Sequence, residues 1–284
     1  MTKISLFLEF FILFAFLCSR ASFPNDKKDN KKIQLTSLKE NFTLPYTDIT
    51  ITILYDNHDF DTNLKPAWGF SCLIEGTDKT ILFDTGGDGQ ILLSNMQKLG
   101  IDPNKIEIVV LSHIHGDHTE GLDSFLAHNP GVEVYLPASF SQSFKQKIKK
   151  IGAKIVEVKD SIKICSNVYS TGEMGKWIKE QSLLIKIKKG LIVITGCAHP
   201  GIVNIIKRAK EITQDSVYLV LGGFHLSGVR SYQIKKIIQE FEREGVKKVA
   251  PCHCSGDLTC KLFQDIYKKN FILAGVGKKI KIDS

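Results

Sequence analysis

Short apolar runs rich in β-branched residues alternate along this chain with segments of helical periodicity. Runs of the first kind, bounded by Gly, Pro, Asn or Asp, predict β-strands. The predicted strands cover residues 49–54, 70–75, 80–84, 106–111, 133–136, 154–158, 183–187, 191–195, 217–221, 246–250 and 272–274. The predicted helices cover residues 90–99, 122–127, 139–151, 201–212, 231–244 and 258–268.

The helix predicted over 231–244 shows the helical pattern clearly, because Ile234, Ile237, Ile238 and Phe241 fall on one face. Few helices separate the early strands, whereas the later strands alternate with helices. This mixture predicts an α/β fold in which two sheets pack together with helices outside them.

The N-terminus has the pattern of a targeting segment. Lys3 precedes an almost wholly apolar run over 6–17, and small residues follow at Ser19 and Ala21. We therefore predict a signal peptide over 1–21, a flexible, lysine-rich tether over 22–45 and a folded domain over 46–284. An exported protein, periplasmic or secreted, is expected. Lipid attachment at Cys18 or an uncleaved anchor are the alternatives that would hold it at a membrane.

The length and composition change this picture little. With 284 residues, 43% of them hydrophobic, the chain can form one large domain. A net charge of +8 raises the question of a nucleic-acid partner, but lysines such as Lys145, Lys147 and Lys149 follow a solvated helix face. No interleaved aromatic residues mark a strand-binding groove. We expect a small-molecule substrate and no nucleic acid, and the oligomeric state stays open.

Candidate metal ligands are concentrated in one short segment after the predicted strand 106–111. His113, His115, Asp117 and His118 fall within a single turn there. Imidazole and carboxylate groups are ligands for zinc, iron and manganese. Four of them so close together predict two metals that share a loop and keep open positions for substrate and water.

Further histidines follow later predicted strands in the same way. His199, His225 and His253 come after strands 191–195, 217–221 and 246–250, in loops built from Gly or Pro. Six of the eight histidines lie at such strand ends, so we expect them to converge. His225 is interpreted as either a metal ligand or a hydrogen-bonding group for substrate. Asp84, at the end of strand 80–84, is interpreted as the acceptor that orients a liganding imidazole.

The seven cysteines are irregularly spaced and do not indicate a disulfide framework. Cys197 lacks the Cys–His–Asn arrangement of a thiol protease and is interpreted as a neutral, packed loop residue. Cys252 and Cys254 flank His253, which leaves metal binding or redox chemistry open for them.

Taken together, these motifs resemble the metallo-β-lactamase superfamily. The segment His113-x-His115-x-Asp117-His118 after a buried strand is similar to its signature, and the resemblance extends from about Ile49 to the end of the chain. It implies a metallo-β-lactamase-like domain: a four-layer αββα sandwich with a pair of divalent metals at one sheet edge. The expected metals are two zinc ions, with iron or manganese as alternatives. The implied ligands are His113, His115 and His199 for one metal and Asp117, His118 and His253 for the other.

A narrower resemblance is to the dihydropteroate-synthase-like branch, which includes methanopterin-related dihydropterin synthases. It is carried by residues 195–201, 222–226 and 253–256 and by Glu180-Gln181-Ser182. The chain departs from the common superfamily pattern at one point. A metal-bridging aspartate normally follows the strand equivalent to 217–221, and here residues 222–226 contain no acid. Either the pair lacks a carboxylate bridge or His225 takes its place.

These features predict a metal-dependent hydrolase that uses a metal-activated water on a small ester, lactone, amide or phosphoester. Asp117 is the predicted catalytic residue, which would orient the nucleophile or pass on its proton. The alternatives are a pterin-related synthase or transferase and an exported metal- or pterin-binding protein of low turnover.

Overall fold

The structure, a computed structural model, describes residues 46–283. The predicted signal peptide and tether lie outside the described residues, so export and attachment at Cys18 stay predictions. Within the described part of the chain, no helix combines the length and the apolar character needed to cross a membrane.

Among residues 46–283, the first sheet has seven strands in the order β13-β1-β2-β3-β4-β5-β6. Strands β13, β1, β2 and β3 pair antiparallel, and β3 to β6 pair parallel. The carboxyl ends of β3 and β4 therefore lie at one edge. The strand bounds are Ile49–Tyr55 (β1), Ser71–Glu75 (β2), Ile81–Phe83 (β3), Ile108–Val110 (β4), Glu133–Pro137 (β5), Lys154–Val158 (β6) and Lys279–Ile282 (β13).

In the same described part of the chain, the second sheet has six strands in the order β12-β11-β10-β9-β8-β7. Strands β7 to β10 pair antiparallel, and β10, β11 and β12 pair parallel. The strand bounds are Ile162–Cys165 (β7), Val168–Ser170 (β8), Leu183–Ile187 (β9), Gly190–Thr195 (β10), Val217–Gly223 (β11) and Lys248–Cys252 (β12).

Helices cover the outer faces of both sheets. Their bounds are Gly89–Lys98 (α1), Gly116–Thr119 (α2), Leu122–His128 (α3), Gln142–Ile151 (α4), Ile202–Thr213 (α5), Ser231–Arg243 (α6) and Asp257–Tyr267 (α7). Short 3-10 turns occur at Pro103–Lys105, His253–Ser255 and Lys268–Asn270.

Alternate residues of the central strands face different layers, which explains why these strands are apolar throughout. In β4, Ile108 and Val110 point between the two sheets, whereas Val109 packs under α1, α3 and α4. In β10, Ile192 and Ile194 join the layer between the sheets, and their neighbours pack against α5, α6 and α7. The predicted four-layer αββα sandwich is confirmed.

The sequence prediction was wrong at 272–274, which is not a strand. Phe271 makes one isolated bridge to Val249, and the chain then turns away through Gly275 to meet His58. The prediction also missed β7, β8, β13 and the four-residue helix α2, all of them too short to show a long hydrophobic period.

Candidate metal centre

The carboxyl ends of the parallel strands from both sheets bring the predicted site residues together. Asp84 follows β3, and the segment His113–His118 follows β4 and enters α2. From the second sheet, His199 follows β10, His225 follows β11 and His253 follows β12. This is the edge at which open α/β sheets bind ligands.

Three imidazoles form the first imidazole set: His113, His115 and His199. The Nδ1 atom of His115 lies 3.1 Å from Nε2 of His113 and 3.2 Å from Nε2 of His199. Their rings meet edge to face. Three nitrogen atoms at such separations can point at one cation.

Beside it lies the second ligand set: Asp117, His118 and His253. Nε2 of His253 is 3.2 Å from Nε2 of His118 and 3.3 Å from Oδ2 of Asp117. Both imidazoles are buried, whereas Asp117 is partly exposed. The structure thus brings all six predicted metal-site residues into two adjoining groups.

Protein acceptors fix the ring orientation of the buried histidines. His118 donates from Nδ1 to Oδ2 of Asp84 at 2.7 Å, and His253 donates from Nδ1 to Oδ1 of Asn57 at 3.0 Å. Ser112 donates its one hydroxyl proton to Asp84 and so accepts from Nδ1 of His113, 2.9 Å away. With Nδ1 engaged, each ring turns Nε2 toward the site, as metal-binding histidines do. Asp84 accepts a hydrogen bond from a candidate ligand imidazole, which is the contact predicted for it.

Burial and neighbouring charges set the protonation states that metal binding requires. Burial, reinforced by the surrounding imidazoles, holds the pKa of His113 far below its ordinary value. The same causes lower the pKa of His199 to about 4. For Asp117 burial acts in the opposite direction, but hydrogen bonding to His253 and the charge of His118 lower its pKa to about 2. At neutral pH the imidazoles of His113 and His199 are therefore neutral and the carboxylate of Asp117 is ionised.

Left-handed backbone conformations recur at these strand ends. Asp84, Ala198, His225 and His253 have φ values of +56°, +61°, +55° and +48°. Such conformations are costly for residues with side chains and persist where surrounding contacts enforce them. The loop at Gly196 lies very close to Ser112, because a Cβ atom on Gly196 would be 2.1 Å from Oγ of Ser112.

Sequence reasoning missed Glu180 as the residue that holds the His199 loop. Its Oε1 accepts from the backbone N–H groups of Cys197 and Ala198 at 3.0 and 2.9 Å, and its Oε2 accepts from that of His199 at 2.8 Å. Full burial raises the pKa of Glu180 to about 7, although these three donors lower it. The only sequence signal is a polar Glu-Gln-Ser run before a strand, where a buried carboxylate is unusual.

We expect Glu180→Gln to destabilise this loop. An amide nitrogen in place of either carboxylate oxygen leaves at least one buried N–H without an acceptor, which costs about 1–3 kcal/mol. Urea unfolding of the metal-free protein measures this loss. Glu211→Gln is the control, because the Glu211 side chain is 66% exposed on α5. Equal stabilities of the two variants would contradict the assigned role.

His225 and the thiols of Cys197 and Cys254 lie next to the two ligand sets. The ring of His225 is 4.4 Å from that of His199, and Sγ of Cys197 is 3.2 Å from Nε2 of His118. Cys197 is buried, as expected of a packed loop residue, but its thiol faces an imidazole. Cys252 points into the core between the sheets, whereas Cys254 turns toward Cys197.

One aromatic residue, Trp68, contacts the predicted ligand His253. Its ring is 4.9 Å from that of His253 and it is 58% exposed, so it forms part of the rim. Phe70 is buried in the core, and Trp177 is almost fully exposed.

Comparison with known proteins decides the family. The profile of the metallo-beta-lactamase superfamily matches residues 69–180. A protein of Methanocaldococcus jannaschii is 31% identical over 269 residues, which cover 76% of this chain and 92% of the relative. The crystal structure of Tm1679, a metal-dependent hydrolase of the beta-lactamase superfamily, is 27% identical and covers 83% of this chain and all of that one, with a TM-score of 0.68. The chain belongs to the metallo-β-lactamase superfamily.

Superfamily membership confirms the resemblance stated from the motifs and gives the chain the fold of metal-dependent hydrolases, which bind divalent metals. The M. jannaschii relative is named 7,8-dihydropterin-6-methyl-4-(beta-D-ribofuranosyl)-aminobenzene-5'-phosphate synthase. A more distant metallo-β-lactamase-fold structure, YhfI from Bacillus subtilis, is 14% identical with a TM-score of 0.61 and shows the shared fold alone.

Proposed function

We propose that this protein is a metal-dependent hydrolase that cleaves a small ester, lactone, amide or phosphoester with an activated water. The observation that carries the proposal is the pair of adjoining ligand sets. One consists of three imidazoles and the other of two imidazoles and an ionised carboxylate. Nitrogen and oxygen donors of this kind suit zinc, with iron or manganese as alternatives.

The residues present fit a metal pair. The Nδ1 atoms of His113, His118 and His253 are engaged by protein acceptors, so their Nε2 atoms are left for ligation. His113, His115 and His199 would hold one cation, and Asp117, His118 and His253 the other. When bound, two divalent cations would supply Lewis acidity and lower the pKa of a water molecule toward neutrality.

The protein residues define one open side for substrate. His113, His118 and His253 are buried, whereas His115, Asp117 and His199 are partly exposed. Substrate would therefore approach past these three residues and the rim residue Trp68. Because the Asp117 carboxylate is ionised and partly exposed, it can accept a proton from the attacking water or orient that water.

A second candidate function is a pterin-related synthase or transferase. The 31% identity to the M. jannaschii synthase over most of both chains favours it. The same ligand sets could then assist departure of a leaving group from one substrate while a second substrate, rather than water, attacks.

Turnover in isotopically labelled water tests the proposed function. We expect metal-reconstituted protein to hydrolyse at least one member of a panel of esters, lactones, amides and phosphodiesters, with label incorporated into product. Elemental analysis of the same sample reports the bound metals. Product that forms only when a second substrate is present, without incorporation of label, would support the synthase instead. A fully metal-loaded protein without turnover would contradict both and indicate a binding protein.

A further inference from the structure

A second cluster of metal-binding groups adjoins the two ligand sets. Cys197, His225 and Cys254, here called the thiol cluster, place two sulfur atoms and an imidazole nitrogen within 4.8 Å of one another. We propose that the thiol cluster holds a third cation, bound through thiolate sulfur, beside the predicted metal pair. This site goes beyond the proposed function and does not depend on it.

The fold supplies one member of the cluster from each of three neighbouring strand ends. Cys197 follows β10, His225 follows β11 and Cys254 follows β12, and these strands are parallel neighbours. Two hydrogen bonds tie the last two loops together: Phe224 N–H donates to Oγ of Ser255 at 3.0 Å, and Ser227 N–H donates to the Cys254 carbonyl at 3.2 Å. The cluster is therefore assembled by the packed fold.

Gly223 shows that the sulfur of Cys254 occupies space close to the backbone of β11. A Cβ atom on Gly223 would lie 2.6 Å from Sγ of Cys254 and 2.4 Å from the carbonyl oxygen of Gly196. No side chain can project from this position without displacing the thiol. The loop after β11 contributes no carboxylate to the candidate metal centre, and the sulfur atom of Cys254 occupies the space beside this loop.

The thiol cluster also lies close to the second ligand set. Sγ of Cys197 is 3.2 Å from Nε2 of His118. Cysteine binds metals as the thiolate, and two thiolates balance the charge of one divalent cation, so a loaded thiol cluster would add no net charge at this place.

The donor set determines which ions would bind. Two thiolates and one imidazole are soft to borderline ligands, which suit zinc and its spectroscopic substitutes cobalt and cadmium. Three protein ligands leave a fourth position open, as in catalytic rather than structural zinc sites. His225 is exposed and Cys197 and Cys254 are buried, so the open position faces solvent on the side of His225, next to the His199 ring. A small anion or an anionic group of substrate could occupy it.

Metal counting and cobalt spectroscopy on the full chain test this site. The protein is kept reduced with a phosphine and loaded with cobalt(II), and bound metal is counted by elemental analysis after dialysis. We expect three ions per chain and a sulfur-to-cobalt charge-transfer absorption. Cys254→Ser and His225→Ala should each reduce the count to two and abolish the absorption.

Cys260→Ser is the matched control, because Cys260 is a half-buried cysteine on α7 whose Sγ contacts the Pro251 carbonyl. It should retain three ions and the full absorption. Since His225 is exposed, His225→Ala tests the site even if Cys254→Ser fails to fold.

Three results would overturn the proposal. One is a wild-type count of two ions with no sulfur-to-cobalt absorption. Another is an absorption that survives Cys254→Ser and disappears in Cys197→Ser, which would make Cys197 a ligand of the pair instead. The last is a Cys197–Cys254 disulfide that persists in the reduced sample. In each of these cases the pair can still be counted, so failure of the third site is distinguishable from failure of the hydrolase proposal.

Discussion

Replacing His115 with alanine is expected to remove most of the turnover while leaving the chain folded. Nδ1 of His115 lies within 3.2 Å of Nε2 of both His113 and His199, so the first imidazole set depends on it. Its side chain is only partly buried, so its removal leaves no large cavity in the core.

The magnitude follows from the chemistry that one cation would supply. Lewis-acid stabilisation by a bound metal is worth several kcal/mol, and each 1.36 kcal/mol changes a rate about tenfold. We therefore expect kcat/KM for the best substrate of the panel to fall on the order of 10³-fold, together with loss of one metal equivalent. Steady-state kinetics, elemental analysis and a thermal unfolding curve measure the three quantities on one sample.

His128→Ala is the control for His115→Ala. His128 lies at the end of α3, is exposed, and has Nδ1 2.9 Å from the carbonyl oxygen of Ser124 in its own helix. Activity and metal content should be unchanged. If His115→Ala retained the full wild-type metal content and wild-type kcat/KM, the first imidazole set would not be the reactive centre.

The sequence alone predicted those helices and strands whose local pattern of apolar and polar residues reflects how they are buried. Strands such as β4 and β10 are covered on both faces, so their apolar runs are continuous. Strand β13 has the alternation of a one-sided strand, with Ile280 and Ile282 buried between exposed lysines, but its four residues give too short a signal. The run at 272–274 has strand-like composition without a second strand to pair with beyond the bridge at Phe271.

The candidate site likewise contains residues that the sequence predicts and contacts that it does not predict. The histidines could be predicted because each follows a recognisable strand, and parallel strand ends share an edge. The contact between Cys197 and His118 joins residues 79 positions apart, and Glu180 reaches loop residues 17 to 19 positions away. The first contact depends on how the two sheets meet, which no local pattern encodes. The second joins the segment before β9 to the loop after its antiparallel neighbour β10, and residue type alone does not show which groups meet there.

Asp84→Asn is expected to weaken both folding and metal binding, and it does so without changing the shape of the side chain. Oδ1 of Asp84 accepts from Ser112 N–H, and Oδ2 accepts from the Ser112 hydroxyl and from Nδ1 of His118, each at 2.7 Å. The residue is fully buried and left-handed at φ +56°. Asparagine tolerates that backbone conformation, so the variant tests the carboxylate rather than the turn.

Neither orientation of the asparagine amide restores the three hydrogen bonds. With nitrogen in the place of Oδ2, donors face the His118 ring and the Ser112 hydroxyl, and with nitrogen in the place of Oδ1, a donor faces the Ser112 N–H. Loss of one partner of a buried, charged pair costs about 3–5 kcal/mol. Because Asp84 orients His118 through Nδ1, metal affinity should also fall by about 10–100-fold.

Unfolding of the metal-free protein in urea and a competitive metal titration measure the two effects. Asp102→Asn is the control, since Asp102 caps a surface 3-10 turn by accepting from Asn104 N–H and asparagine caps equally well. Unchanged stability and metal affinity in Asp84→Asn would contradict the role assigned to this carboxylate.

The pH dependence of stability distinguishes the electrostatic interaction between Asp84 and His118 from a contribution of side-chain packing alone. Burial opposes protonation of His118, but the Asp84 carboxylate outweighs it and raises the pKa of His118 above its ordinary value. A raised histidine pKa in the folded state stabilises the protein below the unfolded pKa of about 6.5, and that stabilisation is lost as pH rises through the folded pKa. The free energy of unfolding of the metal-free wild-type protein should therefore fall as pH rises from about 6.5 through the folded-state pKa of His118. Asp84→Asn should not, because the carboxylate that raises the pKa is gone.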